Sequence, residues 1–216
     1  IFLVFINHSF MKLKKLFWAK PLKLIFIAFL LSLVFVSCNT TSSLIPGAQA
    51  QKELDLYNQY MIIADEYTNQ KKYDKAVKYY EQCLKCPDLY WDAYYKIAKI
   101  AVIQSDWNKA EKMFKELLER DKDNATLKEN LAYVYASKGS KEEAIKIYSE
   151  LIETSGNKSS YYENIITIYI QLKNADEAQK YLSLLKEKFP DTQSIEKFQN
   201  AINSLKEASK EETSKK

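Results

Sequence analysis

From residue 57 to about 205, apolar residues recur at spacings of three and four between charged ones, which places one apolar stripe on each of a series of consecutive helices. The stripes themselves repeat. Ala76, Ala110, Ala144 and Ala178 stand 34 residues apart. Four residues after each comes Tyr80, Phe114, Tyr148 or Leu182, and three further on Cys83, Leu117, Leu151 or Leu185. A second small residue lies upstream at Ala64, Ala98 and Ala132, replaced by Ile166 in the last repeat. It is preceded by Ile63, Ile97, Leu131 or Ile165 and followed three later by Tyr67, Ala101, Tyr135 or Tyr169. Small residues at two points of a helix pair let the axes approach closely, while aromatics fill the space beside them. A fixed period of this kind predicts stacked helix pairs, which display a surface and hold no pre-built reaction centre.

On these residues the chain resembles the tetratricopeptide-repeat family, whose unit is a helix, a tight turn and a second helix. The resemblance implies an all-α fold: a right-handed α-solenoid of four helix-turn-helix repeats plus a C-terminal capping helix. The repeats are 57–90, 91–124, 125–158 and 159–192 and the cap 193–206, within a repeat domain over 51–206. Pro190 falls where the family favours proline. The family's early Trp is replaced by Tyr60, Tyr94, Lys128 and Tyr162, and its small residue by Ile166, which predicts looser packing in the fourth repeat.

Helix starts carry their own signals. Thr126, Ser140, Ser160 and Asn174 each precede a glutamate by three residues (Glu129, Glu143, Glu163, Glu177), the spacing of a capping box. Gly139 lies where the third repeat turns between its helices and tolerates a positive φ. Ile195, Phe198, Ile202 and Leu205 form one more apolar stripe, suited to covering the open end of a stack. Residues 207–216 are polar without periodicity and read as a disordered tail.

The beginning of the chain changes the picture. Met11 opens a segment with Lys12, Lys14, Lys15, Lys20 and Lys23, followed by an apolar run of 13 residues from Leu24 to Val36, then Ser37 and Cys38. This is the layout of a secretory signal, with residues 1–37 as leader, 11–37 as the signal peptide and 1–10 as a possible gene-model artefact. Phe35-Val36-Ser37-Cys38 resembles a bacterial lipobox, which implies lipidation of Cys38, a flexible tether over 38–50 and membrane attachment through an N-terminal lipid. The address implied is exported and facing the periplasm, with Asn39 favouring the outer over the inner membrane. The leader holds five of the 32 basic residues and none of the 28 acidic ones, so the mature chain carries 27 basic and 28 acidic groups. With a net charge near zero, the electrostatic case for nucleic acid disappears. The Lys/Glu pattern from Glu111 to Glu119 reads as a solvated helix face.

The inventory argues against catalysis and against a cofactor or metal. The one histidine, His8, lies in the leader, and the three glycines are scattered, so neither imidazole chemistry nor a phosphate cradle is available to the mature chain. Cys83 and Cys86 form a C-x-x-C pair, but Cys83 occupies the apolar position shared with three leucines. The pair also ends a helix, whereas reactive thiolates favour helix starts. A structural pair or a simple local disulfide is the expectation.

Recognition remains. In the resembled family the first helix of each repeat lines a concave groove, which nominates Asn58, Met61, Asp65 and Asn69, then Asp92, Tyr95, Lys99, Val102 and Ile103. The third repeat contributes Glu129, Tyr133 and Ser137, and the fourth Glu163, Thr167 and Ile170. The expected function is a membrane-tethered scaffold that binds an envelope protein or peptide segment in this groove. A solute-binding or transport-accessory module is the alternative.

Overall fold

The structure is a computed structural model that describes residues 47–154 and 158–214, so the leader and Cys38 lie outside the described residues. Those residues form nine α-helices and no strand: α1 (Ala48–Asn69), α2 (Tyr73–Cys83), α3 (Tyr90–Ile103), α4 (Trp107–Arg120), α5 (Ala125–Lys138), α6 (Lys141–Thr154), α7 (Ser159–Gln171), α8 (Ala175–Lys188) and α9 (Ile195–Ser214). Two compact units divide between Leu56 and Tyr57. In the first, Gly47 turns the chain at φ +86° and the opening turns of α1 follow, with the Gln51 amide donating to Asp55 Oδ1 at 2.9 Å. Residues 48–50 are therefore helical where the sequence suggests tether, because the run that follows is rich in good helix formers.

In the second unit each helix packs on the next, from α2 on α3 through α8 on α9, and α7 also touches α5 and α9. Each marker alanine is the fourth residue of the second helix in its repeat, and all four are fully buried, as are Ala64, Ala98 and Ala132. A methyl group at each crossing lets the axes close up, and the neighbouring large side chains fill three clusters. The first runs from Met61 on α1 to Val134 on α5, the second joins α5, α6 and α7 through Ala132, Tyr148 and Ile165, and the third joins α7, α8 and α9. Ile166 is itself fully buried in the third cluster beside Tyr162, Ala178, Leu182, Phe198 and Ile202. The larger side chain costs the fourth repeat none of its burial, because α9 supplies the facing surface.

The turn inside each repeat is the same motif four times. Lys71, Ser105, Gly139 and Lys173 have φ of +58°, +58°, +103° and +56°, and they recur every 34 residues. The N–H of the next residue in each case reaches back five residues, Lys72 to Tyr67, Asp106 to Ala101, Ser140 to Tyr135 and Asn174 to Tyr169, at 2.8–2.9 Å. This is the Schellman closure of a helix, which satisfies carbonyls that the helix end leaves open.

Capping partly departs from the sequence reading. Asn174 accepts from the Glu177 N–H at 3.1 Å as the box predicts. Helix α5, however, is capped by Asn124, which accepts from the Leu127 N–H at 3.1 Å, so Thr126 lies inside the first turn. Ser160 also lies inside its helix, and its hydroxyl donates to Glu129 Oε1 at 3.3 Å. Asp106 caps α4 through the Lys109 N–H at 3.2 Å with no glutamate to announce it. At the other end α9 continues through Ser214 where the polar pattern suggests a disordered tail. Lys, Glu and Ala propagate a helix readily once Phe198 and Ile202 have nucleated it on the core.

Candidate functional site

The nominated residues all stand on α1, α3, α5 and α7, but the structure divides them into separate groups. Two lie in a cleft of about 510 Å³ between the N-terminal ends of α3 and α5 and the C-terminal end of α4. Asp92 and Tyr95 line it together with Trp91, Leu117, Arg120, Asp121, Asn124, Thr126 and Leu127. The Arg120 guanidinium lies 5.0 Å from the Trp91 ring centre, a cation–π distance that holds the arginine over the indole. Tyr95 packs edge-on against Phe114 with centroids 6.3 Å apart, while Lys99 reaches back to 5.7 Å above the Tyr95 ring. Trp91 and Arg120 escape the sequence reading because neither stands at a groove position of the first helix. One signal was available, since Arg120 is the single arginine of the chain.

A smaller cavity, about 220 Å³, collects Tyr133, Ser137 and Thr167, with Ala136, Tyr148, Asn164, Ile168 and Gln171 completing its lining.

The remaining groove residues do different work. Met61 is only 8% exposed and belongs to the first core, so it offers little surface to a partner. Asp65 accepts from Lys96 Nζ at 2.6 Å and from the Tyr80 hydroxyl at 2.5 Å, tying α1 to α2 and α3. Burial raises the Asp65 pKa, but the hydrogen bonds from Lys96 and Tyr80 together outweigh it and hold the carboxyl below its usual value. Glu129 on α5 accepts from Lys158 at 2.8 Å and from Ser160, spanning the third and fourth repeats. Val102 and Ile170 pack half-buried against the first and third cores, and Glu163 is half-buried, its backbone carbonyl accepting from Thr167. Asn58, Asn69 and Ile103 are exposed.

The cysteines are not a reaction centre in this arrangement. Both are free and buried, and the Cys83 thiol donates to the Tyr57 carbonyl at 3.4 Å. Burial, with Cys86 beside it, pushes the Cys83 thiol up to about 11, so it stays protonated at neutral pH.

Family models described as tetratricopeptide repeat match residues 60–85, 95–159 and 164–192. The chain carries tetratricopeptide repeats. Solved repeat structures share the fold: a tetratricopeptide repeat protein from Parabacteroides merdae ATCC 43184 superposes with a TM-score of 0.62 at 16% identity, covering 70% of this chain and 60% of that one. YrrB, a repeat protein described as having an unusual peptide-binding site, gives a TM-score of 0.54 at 18% identity over 68% of this chain and 76% of its own. At these identities the likeness concerns the solenoid alone. A curated relative, an uncharacterized lipoprotein of Treponema pallidum (strain Nichols), is 32% identical over 92 residues, 43% of this chain and 47% of the relative, so the tetratricopeptide-repeat chain spans about half of its length.

Proposed function

We propose that this protein is a lipid-tethered scaffold of the bacterial envelope that binds a segment of another envelope protein in the cleft between its second and third repeats. One observation carries the reading: Trp91, Tyr95 and Arg120, the three residue types over-represented at binding hot spots, converge on one cleft at the junction of two repeats. Stacking on Trp91 orders the arginine in advance, and Tyr95 offers area at small entropic cost, so little freedom is lost when a partner arrives. The tether is Cys38, in a sequence that resembles a lipobox. The lipoprotein relative supports membrane attachment. The proposed orientation faces the periplasm, with the outer membrane favoured by Asn39.

Crosslinking in intact cells, followed by identification of the captured protein and titration with it in purified form, tests the scaffold. Trp91→Ala and Arg120→Ala should each weaken binding about tenfold or more while leaving the circular dichroism spectrum unchanged. Undiminished affinity in a folded double variant would remove this cleft from the interface. Cys38→Ala should abolish incorporation of labelled fatty acid and release the protein from the membrane fraction.

A further inference from the structure

The period brings the same positions to each junction between a repeat and the element after it, and the backbone repeats with them. Asp121 and Phe189 end α4 and α8 with φ, ψ of −131°, 79° and −138°, 64°, and the N–H groups of Asn124 and Thr192 return to their carbonyls at 3.3 and 3.1 Å. Two residues further on stand Thr126 and Ser194, with Ser160 at the same place in the fourth repeat. On the first helix of the preceding repeat the matching residues are Tyr95, Glu129 and Glu163, again 34 apart. Tyr95 and Thr126 line one cleft, and Glu129 and Ser160 are hydrogen-bonded, so this pair of positions meets across a junction.

Between the third and fourth repeats a lysine completes the pair. Lys158 Nζ donates to one oxygen of Glu129 at 2.8 Å and the Ser160 hydroxyl to the other at 3.3 Å, with the ammonium 5.4 Å from the Tyr161 ring centre. One junction later Glu163 and Ser194 keep the carboxylate and the hydroxyl, but Thr192 stands in the lysine's place and Ile195 in that of Tyr161. Glu163 is half-buried, and its carboxylate has no hydrogen-bond or ion-pair partner among the described residues. Lys197, in the first turn of α9, is exposed and pairs with no acid among them either. The Ser194 hydroxyl oxygen is buried without a partner, one of two such side-chain atoms among the described residues. Withdrawing a hydroxyl from water unmatched is costly, and native structures seldom do so. The equivalent Ser160 is matched because a cation holds one oxygen of its carboxylate and leaves the other toward the hydroxyl.

We propose that Glu163 and Ser194 form a socket for the ammonium group of a lysine side chain on a bound peptide, the part that Lys158 plays for Glu129 and Ser160 within the chain. The arriving ammonium pairs with one carboxylate oxygen, and the other oxygen accepts from the Ser194 hydroxyl. Ile195 offers the lysine's methylenes an apolar surface while the charged head stays at the carboxylate. A half-buried carboxylate beside a hydroxyl, with no cation of its own, favours a positive guest over a neutral or acidic one. The socket lies two junctions beyond the Trp91 cleft and uses none of its residues, so it stands or falls independently of the scaffold reading.

The test uses the purified full-length chain in an uncharged detergent. Acetyl-Ala-Lys-Ala-amide, its glutamine counterpart and butylamine are titrated while amide resonances are followed by NMR. The lysine peptide should shift resonances at the beginnings of α7 and α9, and the glutamine peptide and the free amine should each bind about tenfold more weakly. Glu163→Gln removes the carboxylate's charge and should weaken lysine-peptide binding about tenfold. Thr192→Lys should weaken it as much for the opposite reason, because the chain then fills the socket with a lysine of its own. Lys158→Thr should do the reverse and add a second set of shifts around Glu129 and Ser160. The proposal is overturned if the lysine peptide leaves the α7 and α9 resonances unmoved, if butylamine or the glutamine peptide binds as tightly, or if Thr192→Lys, correctly folded, keeps the original affinity.

Discussion

Lys71, Ser105 and Lys173 adopt the left-handed backbone conformation that Gly139 adopts at the equivalent turn, and each carries a Cβ that this conformation disfavours by about 1–2 kcal/mol. The Schellman closure is worth that strain, since its two hydrogen bonds end the first helix and aim the second. Substituting Lys173→Gly or Ser105→Gly should therefore stabilise the chain by about 1 kcal/mol in urea unfolding, the relief of strain exceeding the added freedom of the unfolded glycine. Gly139→Ala should cost a similar amount, and for conformation alone, because a Cβ there would meet nothing within 4 Å. A loss of stability in the glycine variants would show that these side chains contribute more than their backbones cost. At this scale the sequence was legible only in part. Glycine announces its turn by residue type, whereas lysine and serine announce nothing, and only the period reveals that they share its geometry. Cys83 was legible from its register among leucines, and its raised thiol pKa predicts that alkylating reagents at neutral pH label it only after unfolding.

Helix starts and helix contacts obey a more local competition. Asn124 and Thr126 both had the right chemistry to cap α5, and Asn124 prevails because its extended backbone leaves the Leu127 N–H within reach. Asn124→Ala and Asp106→Ala should each destabilise by about 1 kcal/mol, while Thr126→Ala should change little. The charged pattern of α4 was also only half legible. Glu111 is no solvated charge: its side chain is 17% exposed and joins Lys115 on its own helix to Lys138 on α5, at 2.6 and 2.8 Å. Those hydrogen bonds hold its carboxyl below the usual value. A carboxyl lowered by folding stabilises fully above its unfolded value, about 4.3, and that contribution fades as pH falls through the lower folded one. Stability should thus decline in this acid range. Glu111→Gln should flatten the decline when unfolding midpoints are compared at about pH 6 and pH 3.

Across the molecule, the period gave the stack and its crossing points, since seven small residues named from spacing alone are fully buried. The groove was harder to read. Spacing identifies which helix faces lie on one side, but not which neighbours arrive from the end of another helix, as Arg120 does, or which carboxylates are consumed by cross-helix pairs, as Asp65 and Glu129 are. The two ends of the array differ for a related reason. Ala93, Ile97 and Ile100 on α3 are buried in the first core cluster, and the corresponding residues of α1 are Gln59, Ile63 and Glu66, with Ile63 37% exposed. Two polar residues in three make that face tolerable to water. The far end has no such substitution: Tyr162, Ile166, Leu182 and Leu185 are apolar and depend on Phe198 and Ile202 of α9 for cover. Burying two such side chains is worth about 3–6 kcal/mol, and in a stack whose repeats contact mainly their neighbours that loss falls first on the last repeat. Ending the chain at residue 194 should therefore remove hydrogen-exchange protection from α7 and α8 while α3 and α4 keep most of theirs. Uniform loss of protection would mean that the three clusters unfold as one, and full retention would mean that α9 is an appendage. Within the intact chain, residues 207–210 should exchange fast, because they are exposed on a stretch of helix past the last buried residue, Ile202.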